Sequence, residues 1–350
     1  MIGHLAYATG SPCPTLVLDA RAIPDDPAGT IERVTAARRY LDAAGGGHVL
    51  KIALVKPSDH PMFDLDYRFV QALPEGLDRF DPRGSCGHSI LAAVIAAERS
   101  SMIPNLRAGG RVRVRVLTTG ESVICEMDRV GRSDAECTVY FMPPEQTPVD
   151  QLLLTGKPRT TLVTGGDAYD VSMVSCGNPY VFVDARGLGL HTPEALFGAG
   201  AELFGLLGRI RSEATAHLGW PSGGVFPKIA ALLPTAEAIA VRAISVPSWH
   251  PTIALTGAVC LAAATRIPGT VTEQIARDAG SPDGTITIVT AGGVTTASAT
   301  TLRTAGQTML AWSSVGRKVV TYQGSFLMDS PAHQQFEEIA RCLAETAKPL

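Results

Sequence analysis

A cysteine set among glycines, in Gly84-Ser85-Cys86-Gly87-His88-Ser89, leads directly into the Ala-rich run at residues 89–97. A thiol at the first turn of a helix meets unpaired backbone N–H groups and the positive end of the helix dipole, which favour a thiolate. The glycines let a ligand approach the backbone, and the same amides can hold a carboxylate. Ser85, Cys86, Gly87 and His88 are therefore candidate site residues; the plain alternative is that Cys86 fills a tight turn. Lys51 is the second anomaly, inside the apolar segment HVLKIALVK (48–56). It lies either on a solvated edge strand or in a cavity, where its amine would be a usable general base. Lys56 closes the same segment as a solvated end. Ser175-Cys176-Gly177-Asn178-Pro179 has an ordinary turn composition, and it can also present backbone N–H groups and the Asn178 amide to a carboxylate. Gly45-Gly46-Gly47 carries the same two readings. His250, in SWHPT, is either a ligand-binding group or a structural hydrogen-bonder.

The elements that would hold these residues are short. Strand-like runs LAYA, TLVLDA, HVLKIALVK, DYRFVQAL, RVRVRVLTT, SVICEMDRV and ECTVYFM surround a helix at ERVTAARRYLDAA. A second helix, HSILAAVIAAERSSMI, is so apolar that it must be buried on every side. After residues 143–148 the programme starts again, with DVSMVS, PYVFVDA, KIAALLP, IAVRAISV and TITIVTA around AELFGLLGRIRSEATAHLG and the small-residue helix TGAVCLAAATRI. The second small-residue helix is entered through Ala254-Leu255-Thr256-Gly257-Ala258. This predicts a duplicated α+β unit. The domains expected are 1–155 and 156–329, with an amphipathic C-terminal helix at 330–350 joining the first.

The chain has 350 residues, with Lys+Arg 30 against Asp+Glu 33 and net charge −3. No basic block marks a nucleic-acid surface, and no apolar run reaches the ~18 residues of a membrane span. The N-terminus MIGHLAYATGSPCP lacks the pattern of a secretory signal, so a cytoplasmic protein handling small molecules is expected. Seven widely spread cysteines, none in a CxxC pair, predict free thiols rather than a metal cluster or a disulfide framework.

In order, the Lys51 strand, DLDYRFVQA, the GSCG turn, VSCGNPYVFVDA, FPKIAALLP, VRAISVPSWHPT and LTGAVCLAAATRIPGT resemble the PrpF / methylitaconate Δ-isomerase family, of the diaminopimelate-epimerase-like fold. The resemblance runs over roughly residues 5 to 320. It implies two pseudo-symmetric domains, each a curved β-sheet around a central helix, and no cofactor or metal. It also implies isomerisation of a small unsaturated carboxylate or carbonyl compound by 1,3-proton transfer, cis/trans change or tautomerisation. A homodimer is one assembly it allows. Lys51 and Cys86 stand at the family's catalytic positions, and Asn178 and Pro179 at its carboxylate-binding turn. Gly10 and Ser11 fall in its N-terminal turn, and Thr256 and Gly257 at the second helix entrance. A two-thiol racemase or epimerase of this fold, the first rival, would carry a second Cys where Ala254 stands; a non-catalytic binding protein is the second rival. The Arg-Gly-Gly-Thr-Ser-Lys turn of the family reads Ala8-Thr9-Gly10-Ser11-Pro12-Cys13 here, without its Arg and Lys, and Thr290-Ala291-Gly292-Gly293 replaces a His-containing turn. The expected substrate therefore carries fewer carboxylates than a tricarboxylate.

Overall fold

The computed structural model describes residues 1–143, 145–245, 248–281, 284–328, 339–341 and 343. The chain divides into two compact units, one of residues 1–139 and 317–350, the other of residues 140–316.

In the first unit, β1 (Ile2–Ala8) and β2 (Thr15–Asp19) pair antiparallel. The turn between them uses Gly10 at φ 86°, a conformation glycine adopts without strain. Helix α1 (Pro27–Ala43) starts where the Asp26 carboxylate accepts the Gly29 N–H and Pro27 fills the first turn. Strand β3 (Lys51–Pro57) returns parallel to β2, and β4 (Leu65–Ala72) runs antiparallel to β3. After the two-residue β5 (Phe80–Asp81) comes α2 (Gly87–Arg99), then β6 (Arg111–Val116) parallel to β4, β7 (Ser122–Val130) antiparallel to β6, and β8 (Asp134–Met142). Leu5, Leu16, Leu18, Ile52 and Leu54 pack with Val34, Ala37 and Leu41 of α1 on one face of the sheet. On the other face lies α2, buried from Gly87 to Ala97 and touching β1, β2, β3 and β4. Its four alanines, Ala92, Ala93, Ala96 and Ala97, let the curved sheet come close. Strands β2 and β3 are covered on both faces, which is why they read as almost unbroken apolar runs.

The second unit contains β9 (Thr147–Pro148), β10 (Thr160–Thr164), β11 (Asp167–Cys176), β12 (Asn178–Asp184), α3 (Pro193–Gly198), α4 (Ala201–His217), β13 (Lys228–Thr235), β14 (Ala238–Ser245), β15 (Ser248–Trp249), α5 (Leu255–Ala264), α6 (Val271–Asp278), β16 (Thr285–Thr290) and β17 (Gly293–Thr304). Strand β18 (Gln307–Leu327) pairs with β17 and β9 before Gly316, and with β8 and β1 after it. The pairing order repeats that of the first unit. From β11 the ladder runs antiparallel to β12, parallel to β13, antiparallel to β14, parallel to β16 and antiparallel to β17. Every residue of α5 is buried, against β11, β12, β16 and β17. The expected pseudo-symmetric α+β architecture, a curved sheet around a central helix in each unit, is the architecture observed.

Register makes the repeat specific. Thr15 stands beside Lys51 in the first unit and Tyr180 beside Lys228 in the second. Each parallel strand then ends in Asp-Ala-Arg, and the carboxylates of Asp19 and Asp184 accept the N–H of Arg21 and Arg186.

Some elements differ from expectation. The Lys51 strand begins at Lys51 rather than His48. Strands β17 and β18 are long, although their Thr, Ser and Gly content gives no apolar alternation to read. Of the expected C-terminal helix, only 339–341 and 343 are described, all helical, with Ile339 and Leu343 in the α1 core of the first unit. Its remainder, including Cys342, lies outside the described residues. Among those described, no helix is long and apolar enough to cross a membrane.

Candidate active site

In the first unit, Lys51 opens β3 between β2 and β4, so it is interior to the sheet rather than on an edge. Only 7% of it is exposed. Alternation sends Ile52 and Leu54 to the α1 side, which turns Lys51 to the α2 side. Its ammonium donates to Ser11 Oγ at 2.8 Å, and that hydroxyl donates to the Cys13 carbonyl at 2.7 Å. Tyr7 Oη donates to the Ser11 carbonyl at 3.2 Å. The β1–β2 turn is thus folded over the start of β3 and tied to its lysine.

Cys86 is the N-cap of α2, in extended backbone conformation, and its side chain makes no capping hydrogen bond. Its carbonyl accepts from Ile90 N at 2.9 Å and from Tyr67 Oη at 3.2 Å. One turn on, Ser89 Oγ meets Thr15 Oγ1 at 3.0 Å, fixing the start of α2 against the start of β2. Ser85, Cys86, Gly87 and His88 are all buried. The N–H groups of the first helical turn, beginning at Gly87 and His88, have no carbonyl within the helix to pair with, as at any helix start.

Electrostatics join these pieces. Burial pushes the Cys13 thiol up, the Lys51 ammonium and the N–H groups of Leu50 and Lys51 draw it back, and Cys86 pushes it up again. The Tyr67 phenol is raised well above its ordinary value by burial, and the neighbouring Cys86 adds to this. Lys51, Cys86, Cys13, Ser11 and Tyr67 therefore form one buried cluster. Of these, Tyr67 escaped the sequence reading, and Cys13 enters it only as the residue standing where the family's turn has Lys; that its turn closes on Lys51 is seen only in the fold.

The second unit assembles a different group. Gly177, at φ 74°, makes the tight turn that sets Cys176 opposite Asn178. Asn178 Nδ2 donates to Thr256 Oγ1 at 2.9 Å, so the Asn-Pro turn is bonded to the first turn of α5. Pro179 pairs with Ser175 across the same hairpin. At Gly257 a Cβ would fall 2.4 Å from Tyr180 Oη. The N-cap of α5 is Ala254, so the helix entrance that carries a thiol in the first unit carries a methyl group here. His250 is buried, and its Nδ1 accepts the Thr252 N–H at 3.1 Å, a hydrogen bond that shapes the entry to α5. The turn Thr290–Gly293 closes the β16–β17 hairpin, with Thr290 Oγ1 donating to the Gly293 carbonyl.

The family model for the PrpF protein matches residues 34–321. The chain belongs to the PrpF family. Its 3-methylitaconate isomerase relative from Eubacterium barkeri is 26% identical over 289 residues, covering 70% of this chain and 75% of that one. The (4E)-oxalomesaconate Delta-isomerase of Novosphingobium sp. (strain KA1) is 27% identical over 261 residues, covering 68% and 72%. The crystal structure of a methylitaconate-delta-isomerase superposes with a TM-score of 0.64 at 20% identity, covering 97% of both chains. This PrpF chain is an isomerase, and its fold is the one these relatives share.

Proposed function

We propose that this PrpF isomerase moves a double bond in a small unsaturated acid by 1,3-proton transfer, with Lys51 and Cys86 as the two proton-transfer groups and without a cofactor. The observation that carries the reading is that a buried amine and the thiol of the α2 N-cap residue both bear on the same turn, through Ser11 and Cys13. One of the two removes the proton from the carbon next to the double bond, and the other delivers a proton at the far end of the allylic system. Between these steps the substrate is an enolate. The N–H groups at the start of α2, Gly87 and His88, are the proposed donors to its oxygen, and each donor of this kind typically contributes ~2.7–4 kcal/mol to the transition state.

Substrate size follows from the β1–β2 turn. Ala8 offers no fork for a carboxylate, and Cys13 offers a thiol instead of an ammonium. The preferred acid therefore has fewer carboxylates than a tricarboxylate and an apolar arm. Asn178, Pro179, Thr256 and Gly257 in the second unit are proposed to contribute to carboxylate recognition, and Gly10, Ser11 and Ser85 to shape the first unit's site. The racemase reading is weaker, since Ala254 can neither give nor take a proton.

The test is proton NMR in deuterated water with 3-methylitaconate, an oxalomesaconate and a set of unsaturated monocarboxylic acids. Deuterium should appear at the carbon that gains the proton, fastest with the monocarboxylic acids. Efficient turnover of tricarboxylates would refute the size argument, and the absence of exchange with every acid would refute the isomerase mechanism.

A further inference from the structure

A cavity of about 290 Å³ opens in the first unit, between the segment leading into α1 and strands β3, β4 and β6. Its floor is two cross-strand rows. Lys56, Asp66 and Arg115 share one register position, and Leu54 and Arg68 share the next on that face. Leu117 extends the second row, its N–H donating to the Tyr67 carbonyl at 2.9 Å. Leu54 belongs to the α1 core, so alternation puts both rows on the α1 side of the sheet. Lys51 turns to the α2 side, which makes the cavity separate from the Lys51–Cys86 cluster. Ile23, Pro24 and Asp25 form the wall, and Thr30 Oγ1 donates to the Pro24 carbonyl at 2.8 Å to hold it.

The charges of this floor are unequally satisfied. Asp66 is buried and accepts from Arg115 at 2.8 and 2.7 Å and from the Ser58 hydroxyl at 2.7 Å. It has little left to offer a third cation. Lys56 meets Asp59 at 3.6 Å, an exposed pair of a kind that contributes little. The Arg68 guanidinium makes no hydrogen bond or ion pair among the described residues, and Leu54 and Leu117 stand on either side of it. Around the whole cavity, Lys56, Arg68 and Arg115 face Asp25 and Asp66, a surplus of one positive charge.

A guanidinium holds a carboxylate through two parallel N–H donors, and the apolar side chains beside it favour a ligand that brings apolar surface to cover them. One surplus charge suits a monoanion, since Asp25 on the wall would repel a second negative charge. The volume is at the small end of ligand pockets.

We infer that this cavity is a binding site for a small amphipathic monocarboxylate, whose carboxylate is held by Arg68 with Lys56 as second cation and whose apolar chain covers Ile23, Pro24 and Leu117. No bond is made or broken there. A saturated acid, which has no double bond to move, fills it as well as an unsaturated one, so the site stands or falls independently of the proton-transfer reading.

The test is NMR of the full chain with carbon-13 in its isoleucine and leucine methyl groups, titrated with hexanoate. Ile23→Val identifies the Ile23 signal. That signal should shift saturably, and Arg68→Met should weaken the binding at least tenfold, with Arg68→Lys losing less. Leu117→Asp, which sets a carboxylate on the floor, should weaken it as much as Arg68→Met. Turnover without hexanoate should be unchanged in all three variants. Sulfate and hexylamine should shift Ile23 far less than hexanoate does. No saturable shift, or an unaltered titration in Arg68→Met and Leu117→Asp, would overturn the site. Sulfate or hexylamine binding as tightly as hexanoate would overturn the ligand class. A titration that changes in Lys51→Met but not in Arg68→Met would place the acid on the other face of the sheet, which also overturns it.

Discussion

Lys51 and Cys86 attract attention in the sequence for the same reason: each is a reactive side chain where chain composition calls for an inert one. Lys51→Ala and Cys86→Ala should each lower turnover by ~10²–10⁴-fold, the range for loss of a positioned acid or base. Their circular dichroism should stay that of the wild type, since neither residue belongs to the core packed on α1. Cys176→Ala should keep most activity, because that turn is held by Gly177 and by the Asn178–Thr256 hydrogen bond. Steady-state assays of the three variants side by side check the assignment, and it fails if Cys176→Ala is the inactive one. Residue type was enough to single out these positions. It could not single out Tyr67, whose hydroxyl meets the Cys86 carbonyl only once β4 and the start of α2 are brought together.

At the scale of elements, the packing of helix starts on strand starts makes the sharpest predictions. Gly257 faces the Tyr180 ring, which is itself fully buried and stacked on Phe182 at 5.4 Å. The ring has no room to withdraw, so Gly257→Ala should destabilise the protein by about 1–3 kcal/mol, measured by urea unfolding. Strands β4 and β6 are joined by Asp66 and Arg115, through two hydrogen bonds of 2.8 and 2.7 Å. Burial pushes the Asp66 carboxyl up, but Arg115 and the Ser58 hydroxyl outweigh it and hold the group below its ordinary value. A depressed carboxyl stabilises the folded state above the unfolded-chain value, and this is lost as pH falls through the folded one. The stability gap between wild type and Asp66→Asn should therefore be full above about pH 5 and close as the pH drops below about 4. Unfolding curves at several pH values measure it, and a gap that does not change with pH would refute the assignment. Strands such as RVRVRV declare themselves by alternation, Val112, Val114 and Val116 facing in. Strands β17 and β18 do not, because threonine and serine suit either face of a half-buried sheet.

For the molecule as a whole, the duplication was legible because both central helices are small, apolar and entered through a Gly-containing turn. Where the chain crosses between units was not, since β18 passes from one to the other without a break in composition. Just past that crossing, Lys318 is half-buried in register with Cys137, and burial lowers its ammonium to about 8. With a folded value below the unfolded one, the unfolded chain binds more protons between about pH 8 and 10.5, so stability should rise across that window. Lys318→Met should be more stable than the wild type at pH 7 and should lack this rise. Thermal unfolding from pH 7 to 10 decides it, and a wild type whose stability is flat through the window would contradict the assignment.

The matched registers also bear on how such a chain can change over generations. Thr15 with Ser89 and Tyr180 with Gly257 are two solutions to one spatial problem, two mid-sized polar groups in one copy and a large ring over a bare backbone in the other. Neither partner can be exchanged alone without a clash or a void. Inheritance in the two halves is therefore paired: a lineage that enlarges residue 257 must first shrink residue 180. The half without a thiol at its helix entrance answers to that packing rule alone, while the half with Lys51 and Cys86 would, on the proposed chemistry, also have two proton-transfer groups to keep.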